Sequence, residues 1–291
     1  MKLMNDMSSA KIIHPPSWLS QNMQYACVMG SLAYGVSGES SDMDVYGFTI
    51  PPKKTVFPHL AGEIAGFGNQ KKRFDQWSEH HREWKGKEYD FAIYSIVRFF
   101  SLCMDNNPNM VDSLFVPANC IIHSTKIGNI VRENRRLFLH RGCWPKFKGY
   151  AYSQLHKISI KTPDHGSKRE SEVLEHGYDT KFAYHCVRLL DEVEQILTLG
   201  DLDLQRSREH LKAIRRGEVK EAEIREFFSS KEKSLEKAYS DSDLPWGPRE
   251  PEIRDLLMKC LETHYGELPV EREESAVSAL REIAAVCGRF V

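Results

Sequence analysis

A glycine-serine turn and a pair of aspartates, set between two apolar segments, most constrain how this chain can fold. The turn starts at Gly30-Ser31, and ten residues separate Ser31 from Asp42 of the sequence Asp42-Met-Asp44. The apolar segments predict strands near 24–29 and 44–50. Because alternate residues of a strand point to the same side, Asp42 and Asp44 should project from one face.

Two carboxylates on one strand face repel each other unless a cation or hydrogen-bond donors compensate. A divalent metal is the natural partner of Asp42 and Asp44, and magnesium, with manganese as the alternative ion, suits oxygen ligands that are shared with phosphates. A bare Asp-x-Asp is also common in exposed polar turns. The spacing alone therefore leaves both interpretations open.

Two familiar motifs fail against the residues present. A calcium loop starting at Asp42 would need Asp or Asn where Tyr46 stands and Glu where Lys53 stands. The glycines Gly30 and Gly35 have the spacing of a phosphate-binding P-loop, but Val36-Ser37 follows where Lys-Ser or Lys-Thr is required. The sequence thus excludes an EF-hand and a P-loop enzyme.

If two metal ions are to stabilise the entering and the leaving oxygen of an in-line displacement, a third carboxylate is needed to bind them. Asp90 is the best candidate, since it lies in a predicted strand at 89–94 whose Phe91 and Ile93 point to the opposite face. Glu88 has the same strand parity and is the alternative. The competing interpretation is an ordinary exposed strand carboxylate.

The chain changes character near residue 120. Before it, short apolar segments alternate with Gly and Pro, and beyond it the apolar residues take a helical period. We therefore expect an α+β fold: a small mixed sheet with flanking helices over residues 1–120, then an α-helical domain over 121–291. Helices are predicted at 95–103, 125–139, 146–159, 179–199, 219–239, 250–264 and 273–287, and a polar segment at 161–172 predicts a loop.

Composition narrows the class of protein. The net charge of -1 over 291 residues argues against a protein that coats nucleic acid electrostatically, though not against a local basic groove. Seven scattered cysteines fit neither a disulfide framework nor a zinc site. The N-terminal apolar segments are too short for a signal peptide or a membrane span, so we expect a cytoplasmic protein without a membrane partner.

The predicted helix at 179–199 carries a row of basic side chains. Lys181, His185 and Arg188 fall on one ridge, at i, i+4 and i+7, and like charges so placed favour an anion nearby. The alternative is a solvated helix face on which Arg188 pairs with Glu192.

A second group lies on the helix predicted at 146–159. Tyr152, Gln154 and Lys157, together with Tyr150, offer an aromatic ring and polar donors, although such residues often serve packing alone. His80-His81 does not qualify as a metal site, because the sequence places no third ligand beside it.

These motifs together resemble a known enzyme group. Gly30-Ser31, the ten-residue gap, Asp42-x-Asp44 and the distant Asp90 are similar to the active-site signature of the DNA polymerase β-like nucleotidyltransferase superfamily. The longer forms are Gly-Ser-x-Ala-Tyr-Gly, Ser-Asp-x-Asp-x-Tyr-Gly, Asn-Pro-Asn-Met-Val-Asp112-Ser-Leu-Phe and Tyr-x-Tyr-Ser-Gln-Leu. They resemble a bacterial and phage branch of predicted nucleotidyltransferases, some of which are associated with RNA repair.

The resemblance implies a role for each matched position. Gly30 and Ser31 would contact the triphosphate of an NTP such as ATP, and Asp42, Asp44 and Asp90 would bind magnesium. The helical domain would close the nucleotide cleft. On it, the residues Lys181, His185 and Arg188 would hold the β- and γ-phosphates, and Tyr152, Gln154 and Lys157 would contact the nucleotide. One departure is Asp112, where the branch is expected to have Glu.

The reaction implied is transfer of a nucleoside monophosphate from an NTP to an acceptor hydroxyl, releasing pyrophosphate. An RNA or tRNA 3′ end is the favoured acceptor. Nucleotidylation of a protein side chain or a small molecule is an alternative within the superfamily, and a catalytically silent nucleotide- or RNA-binding module is the alternative outside enzymes. The sequence leaves the choice of NTP and the oligomeric state open.

Overall fold

The computed structural model describes residues 1–38, 41–56, 73–160, 165 and 168–266. Its centre is a five-stranded mixed sheet in the order β3-β4-β2-β1-β5. The strands are β1 Met23–Val28, β2 Met43–Thr49, β3 Gln76–Trp84, β4 Lys87–Ser95 and β5 Ile121–Ser124. The predicted α+β fold class is confirmed.

The register of β2 against β4 positions the acidic residues. These two strands run parallel, and Asp44 pairs with Asp90 across them. Val45 and Phe91, the next pair, are completely buried under the sheet. Since residues that pair across neighbouring strands share a face, burial of one face leaves the Asp44 and Asp90 side chains on the other.

Helices surround the sheet and continue after it. They are α1 Lys2–Ser9, α2 Lys53–Val56, α3 Ile96–Met104, α4 Pro108–Phe115, α5 Lys126–Glu133, α6 Cys143–Ile160, α7 Lys168–His176, α8 Thr180–Leu199, α9 Arg208–Arg215, α10 Glu221–Asp241 and α11 Glu250–Tyr265. Within the described residues, no helix is both long enough and apolar enough to cross a bilayer.

Two apolar clusters hold the sheet. The larger one joins one face of the sheet to α3, α4 and the long helix α8, whose buried residues include Cys186, Val187 and Leu190. The smaller cluster packs α1 against the sheet through Met4 and Met7. Because the larger cluster is continuous from β1 to α11, burial of apolar surface ties the helical half of the chain to the sheet.

Most predicted elements lie within a few residues of the observed ones. The helix predicted at 125–139 ends as an α-helix at Glu133 and continues as a 3-10 turn over Arg135–Phe138. The loop prediction for 161–172 is wrong from Lys168 onward, where α7 begins, and the helix predicted at 273–287 lies outside the described residues. β5 begins after residue 120 and pairs with β1, so the sheet continues beyond the position at which the sequence predicts a domain boundary. The division of the chain into two domains stays a prediction.

Candidate active site

The glycine-serine turn lies directly above the Asp44 carboxylate. Gly30 has φ +66°, in the left-handed region that glycine adopts without strain. A Cβ atom at this position would come 2.2 Å from Oδ2 of Asp44. Two backbone hydrogen bonds fix the turn, from the Met29 N–H to the Asp44 carbonyl at 2.7 Å and from the Val36 N–H to the Ser31 carbonyl at 2.8 Å. Gly30 is thus the residue that permits close approach of backbone to carboxylate.

Asp42 directly precedes β2, Asp44 is the second residue of that strand, and Asp90 pairs with Asp44 from within β4. Burial raises the pKa of Asp44 to about 6, and the negative charge of Asp90 adds to the rise, opposed by Lys181 and reinforced by Asp42. Asp90 is anchored by the backbone N–H of His81, which donates to its Oδ1 at 2.7 Å. The negative charges of Asp42 and Asp90 thus both act on Asp44. The three carboxylates do not form one compact group, since an oxygen from each does not come within 4.8 Å of the other two, and Asp90 does not line the pocket beside Asp42 and Asp44.

A pocket of about 440 Å³ opens beside these acids. One wall consists of the Gly30-Ser31 turn with Asp42 and Asp44, and the opposite wall comes from α7, α8 and α9. The residues that matter on this second wall are Arg169, Lys181, Tyr184, His185 and Arg215. Asp42 and Asp44 therefore lie across a space of nucleotide size from a wall in which three cations, Arg169, Lys181 and Arg215, accompany one acid, Glu172.

The N-terminal end of α8 supplies two of the predicted residues to the pocket. Asp179 caps the helix by accepting a hydrogen bond from the Phe182 N–H at 3.0 Å. Lys181, in the first turn, is exposed to the pocket, and His185 follows one turn later. Burial, then Arg188 and Lys181, lower the pKa of His185 well below its ordinary value. His185 is therefore neutral at pH 7 and adds no charge to the basic wall.

The predicted basic row is corrected at Arg188. This side chain is buried, and its Nη1 donates to Oδ2 of Asp112 at 2.6 Å and to Oε2 of Glu192 at 2.7 Å. The guanidinium also lies over the Tyr34 ring at 4.1 Å. Arg188 lies on the same helix face as Lys181 but about 10 Å further along the axis, where that face is buried against Asp112 and Tyr34. Arg188 does not line the pocket and has no free charge for a phosphate.

The structure keeps Tyr152, Gln154 and Lys157 outside the pocket lining. Tyr152 is 61% exposed and stacks on His156 of the same helix. Lys157 lies nearer the pocket, since its Nζ is 5.7 Å from the centre of the Phe182 ring, over which Arg169 also packs at 4.0 Å. Contact of this group with a nucleotide stays a prediction.

Sequence reasoning missed two arginines of the basic wall. Nη2 of Arg169 and Nη1 of Arg215 are shielded from solvent and have no hydrogen-bond partner. Arg169 fell in a segment whose polarity indicated a loop, and Arg215 lies far from every motif. The Nε of Arg169 donates to Asp179, so only one nitrogen of that guanidinium lacks a partner. Shielded N–H donors without an acceptor are costly, which suits a site that binds an anion.

The acidic wall fits a hard divalent cation. Its donors are carboxylate oxygens, which magnesium prefers, and Gly30 leaves the Asp44 carboxylate space that a side chain would fill. Burial and the negative charge of Asp90 raise the pKa of Asp44 although Lys181 opposes the rise, so a cation beside this carboxylate would stabilise its charged form. Asp42 and Asp44 line the pocket and would hold the ion there, and Asp90 would join them from its position beside Asp44 on β4.

Comparison with known proteins identifies relatives of this chain. Residues 9–275 match the sequence model of RlaP, described as the RNA repair pathway DNA polymerase beta family. An uncharacterized 38.9 kDa protein encoded in the nrdC-mobD intergenic region of Enterobacteria phage T4 is 25% identical over 135 residues. That alignment covers 45% of this chain and 37% of the phage protein, so well under half of the relative is matched.

Among solved structures, a nucleotidyltransferase-like protein from Exiguobacterium sibiricum 255-15 is similar at 11% sequence identity. The match covers 99% of this chain and 88% of that protein, with a TM-score of 0.28.

Proposed function

The chain belongs to the RNA repair pathway DNA polymerase beta family, and on that premise we propose that it transfers a nucleoside monophosphate from an NTP to a hydroxyl group, most favourably at an RNA 3′ end. The observation that carries this proposal is the pocket between Asp42 and Asp44 on one side and Arg169, Lys181 and Arg215 on the other. A triphosphate bound together with a metal ion needs carboxylates to hold the metal and cations to hold the phosphates, and the two walls supply one kind each.

The basic wall would bind the leaving group. In the proposed reaction the acceptor oxygen bonds to the α-phosphorus, the bond from that phosphorus to the α,β-bridging oxygen breaks, and pyrophosphate departs with the electron pair. Lys181 and Arg215 stabilise the charge that develops on the departing oxygen. The partnerless N–H groups of Arg169 and Arg215 supply donors that no protein acceptor occupies.

The acidic wall would position the reacting groups. Asp42, Asp44 and Asp90 hold magnesium, which when bound neutralises triphosphate oxygens and favours ionisation of the acceptor hydroxyl. Asp90 receives the hydroxyl proton, and its hydrogen bond from the His81 N–H fixes the orientation of the carboxylate. The Gly30-Ser31 turn brings backbone N–H groups toward the triphosphate.

The experiment is incubation of the protein with each α-labelled NTP, Mg²⁺ and total RNA. The proposal predicts label in RNA that disappears in Asp44→Asn. A matched control is Asp243→Asn, which changes an exposed acid in the loop between α10 and α11, and should keep full activity. Label on a protein or a small molecule would show that the acceptor is not RNA but one of the alternatives. Tight NTP binding without transfer of label would indicate a catalytically silent binding module.

A further inference from the structure

A bend in the edge strand β3 places a histidine beside the outer acids of β4. The register of β3 against β4 shifts between Glu79 and Arg82, and His81 within this bulge has φ +55°. A left-handed conformation is uncommon for histidine and bulges re-aim side chains. The imidazole Nδ1 of His81 forms a short hydrogen bond with Oε1 of Glu88.

The bulge completes a group of three ligand types. One ligand atom each from His81, Glu88 and Asp90 lies within 4.8 Å of the other two. Ligands on opposite sides of an ion with bonds near 2.1 Å are about 4.2 Å apart, so small side-chain rotations would close the group around a cation. The His81 ring is 82% exposed, so no packed side chains hinder that adjustment.

We propose that His81, Glu88 and Asp90 form a second divalent-metal site, distinct from the Asp42–Asp44 pair and selective for a transition ion such as Mn²⁺ over Mg²⁺. This inference deepens the proposed function, because Asp90 belongs to both sites. The imidazole nitrogen sets the preference, since nitrogen ligands suit transition metals whereas magnesium prefers oxygen alone.

The charge around the site supports a cation there. Glu88 and Asp90 are neighbours on one strand face, and Asp44 pairs with Asp90 across the sheet. The cationic candidates nearby are His81 itself, His80, whose Nδ1 is 3.6 Å from Asp90 Oδ1, and Lys181 beyond Asp44. A bound dication would offset the two carboxylates directly, where an exposed imidazolium offsets them weakly.

The test uses the untagged full-length protein, stripped of metal with a chelator and titrated with Mn²⁺. Free Mn²⁺ is counted by electron paramagnetic resonance, and pulsed measurements detect coupling to an imidazole ¹⁴N nucleus. The wild type should show this coupling, and His81→Gln should abolish it and weaken that site at least about tenfold, since even outer-shell partners contribute that much. His80→Gln is the matched control and should keep the coupling.

Wild-type protein without nitrogen coupling, or coupling that survives His81→Gln, would overturn the site. If only His80→Gln removes the nitrogen coupling, the metal is bound by His80 and not by His81. That result would overturn the proposed site as well. The readout needs no NTP or RNA, so its failure is distinct from failure of the proposed function. Mg²⁺-dependent label transfer without a nitrogen-bound Mn²⁺ would reject the second site alone.

Discussion

Gly30 and Asp44 are in such close contact that residue 30 has no room for a side chain, since a Cβ atom would lie 2.2 Å from the carboxylate oxygen. The contact couples the turn that approaches the triphosphate to a residue that would hold the metal. Because residue 30 also has φ +66°, both space and backbone conformation require glycine there.

Gly30→Ala should therefore displace the Asp44 carboxylate and strain the turn. We expect a loss of activity on the order of a hundredfold, as for small misplacements of reacting groups, with a stability cost of about 1–3 kcal/mol. Single-turnover label transfer and urea unfolding measure the two effects. Gly149→Ala is the control, since a Cβ there meets nothing within 4 Å and helix α6 should gain slightly in stability. Unchanged activity in Gly30→Ala would reject the role given to the turn.

Arg188 should matter for folding rather than for nucleotide binding. Arg188→Ala leaves the buried Asp112 and Glu192 carboxylates without their cationic partner, which should cost about 3–5 kcal/mol in the free energy of unfolding. Tyr34→Phe removes only the hydrogen bond to Asp112 and should cost about 1 kcal/mol. Urea unfolding measures both. An Arg188→Ala protein of normal stability that binds NTP weakly would instead restore Arg188 as a phosphate ligand.

Lys181 and Arg215 should recognise the phosphates of the nucleotide. Because charge-assisted hydrogen bonds contribute about 1.5–3 kcal/mol, Lys181→Ala or Arg215→Ala should weaken NTP binding roughly tenfold or more and leave nucleoside binding nearly unchanged. Calorimetric titration with NTP, NMP and nucleoside measures the difference. Lys212→Ala, on α9 but paired with Glu209, is the matched control. Equal losses for nucleoside and NTP would contradict a phosphate role.

Stability without metal should depend on the protonation of Asp44. Its pKa is about 6 in the folded protein against 3.8 for the ordinary side chain, so the folded state holds the extra proton between these values. Stability contributed by this group is therefore lost as pH rises from about 4 through 6. Asp44→Asn should raise the unfolding free energy of metal-free protein at pH 7.5 by roughly 1–3 kcal/mol. If Asp44→Asn instead lowers the unfolding free energy of the metal-free protein at pH 7.5, the negative charge of the Asp44 carboxylate is balanced by cationic groups of the protein.

Local sequence patterns encode the buried strands of the sheet, whereas tertiary packing decides the edge strand and the contacts of each helix face. The apolar segments around the Asp42–Asp44 pair predicted β1 and β2, and the segment around Asp90 predicted β4, because buried strands carry their signal in adjacent residues. The edge strand β3, Gln-Trp-Ser-Glu-His-His-Arg-Glu-Trp, was missed because its one half-buried face carries Glu79 and Arg82 between Trp77 and Trp84, and the bulge breaks the alternation of the two faces. That omission also concealed the relation of His81 to Glu88 and Asp90.

Helix periodicity identified α8 but not the neighbours of each of its faces. Lys181 and Arg188 share a ridge in the sequence, yet one lines the pocket and the other pairs with Asp112 of α4. Likewise, Arg215 reaches the pocket only through the packing of α9 on α8, which no motif records. Long-range contacts of this kind lie beyond single-sequence patterns.

A single reaction followed through both of its products decides whether this chain transfers a nucleoside monophosphate. Wild-type protein, Mg²⁺, RNA and an NTP labelled at either the α- or the γ-phosphate should yield RNA labelled only from the α position, with one pyrophosphate released for each label incorporated. Asp42→Asn and Asp44→Asn should abolish both products. Transfer of the γ-label, or transfer that persists in both variants, would contradict the account.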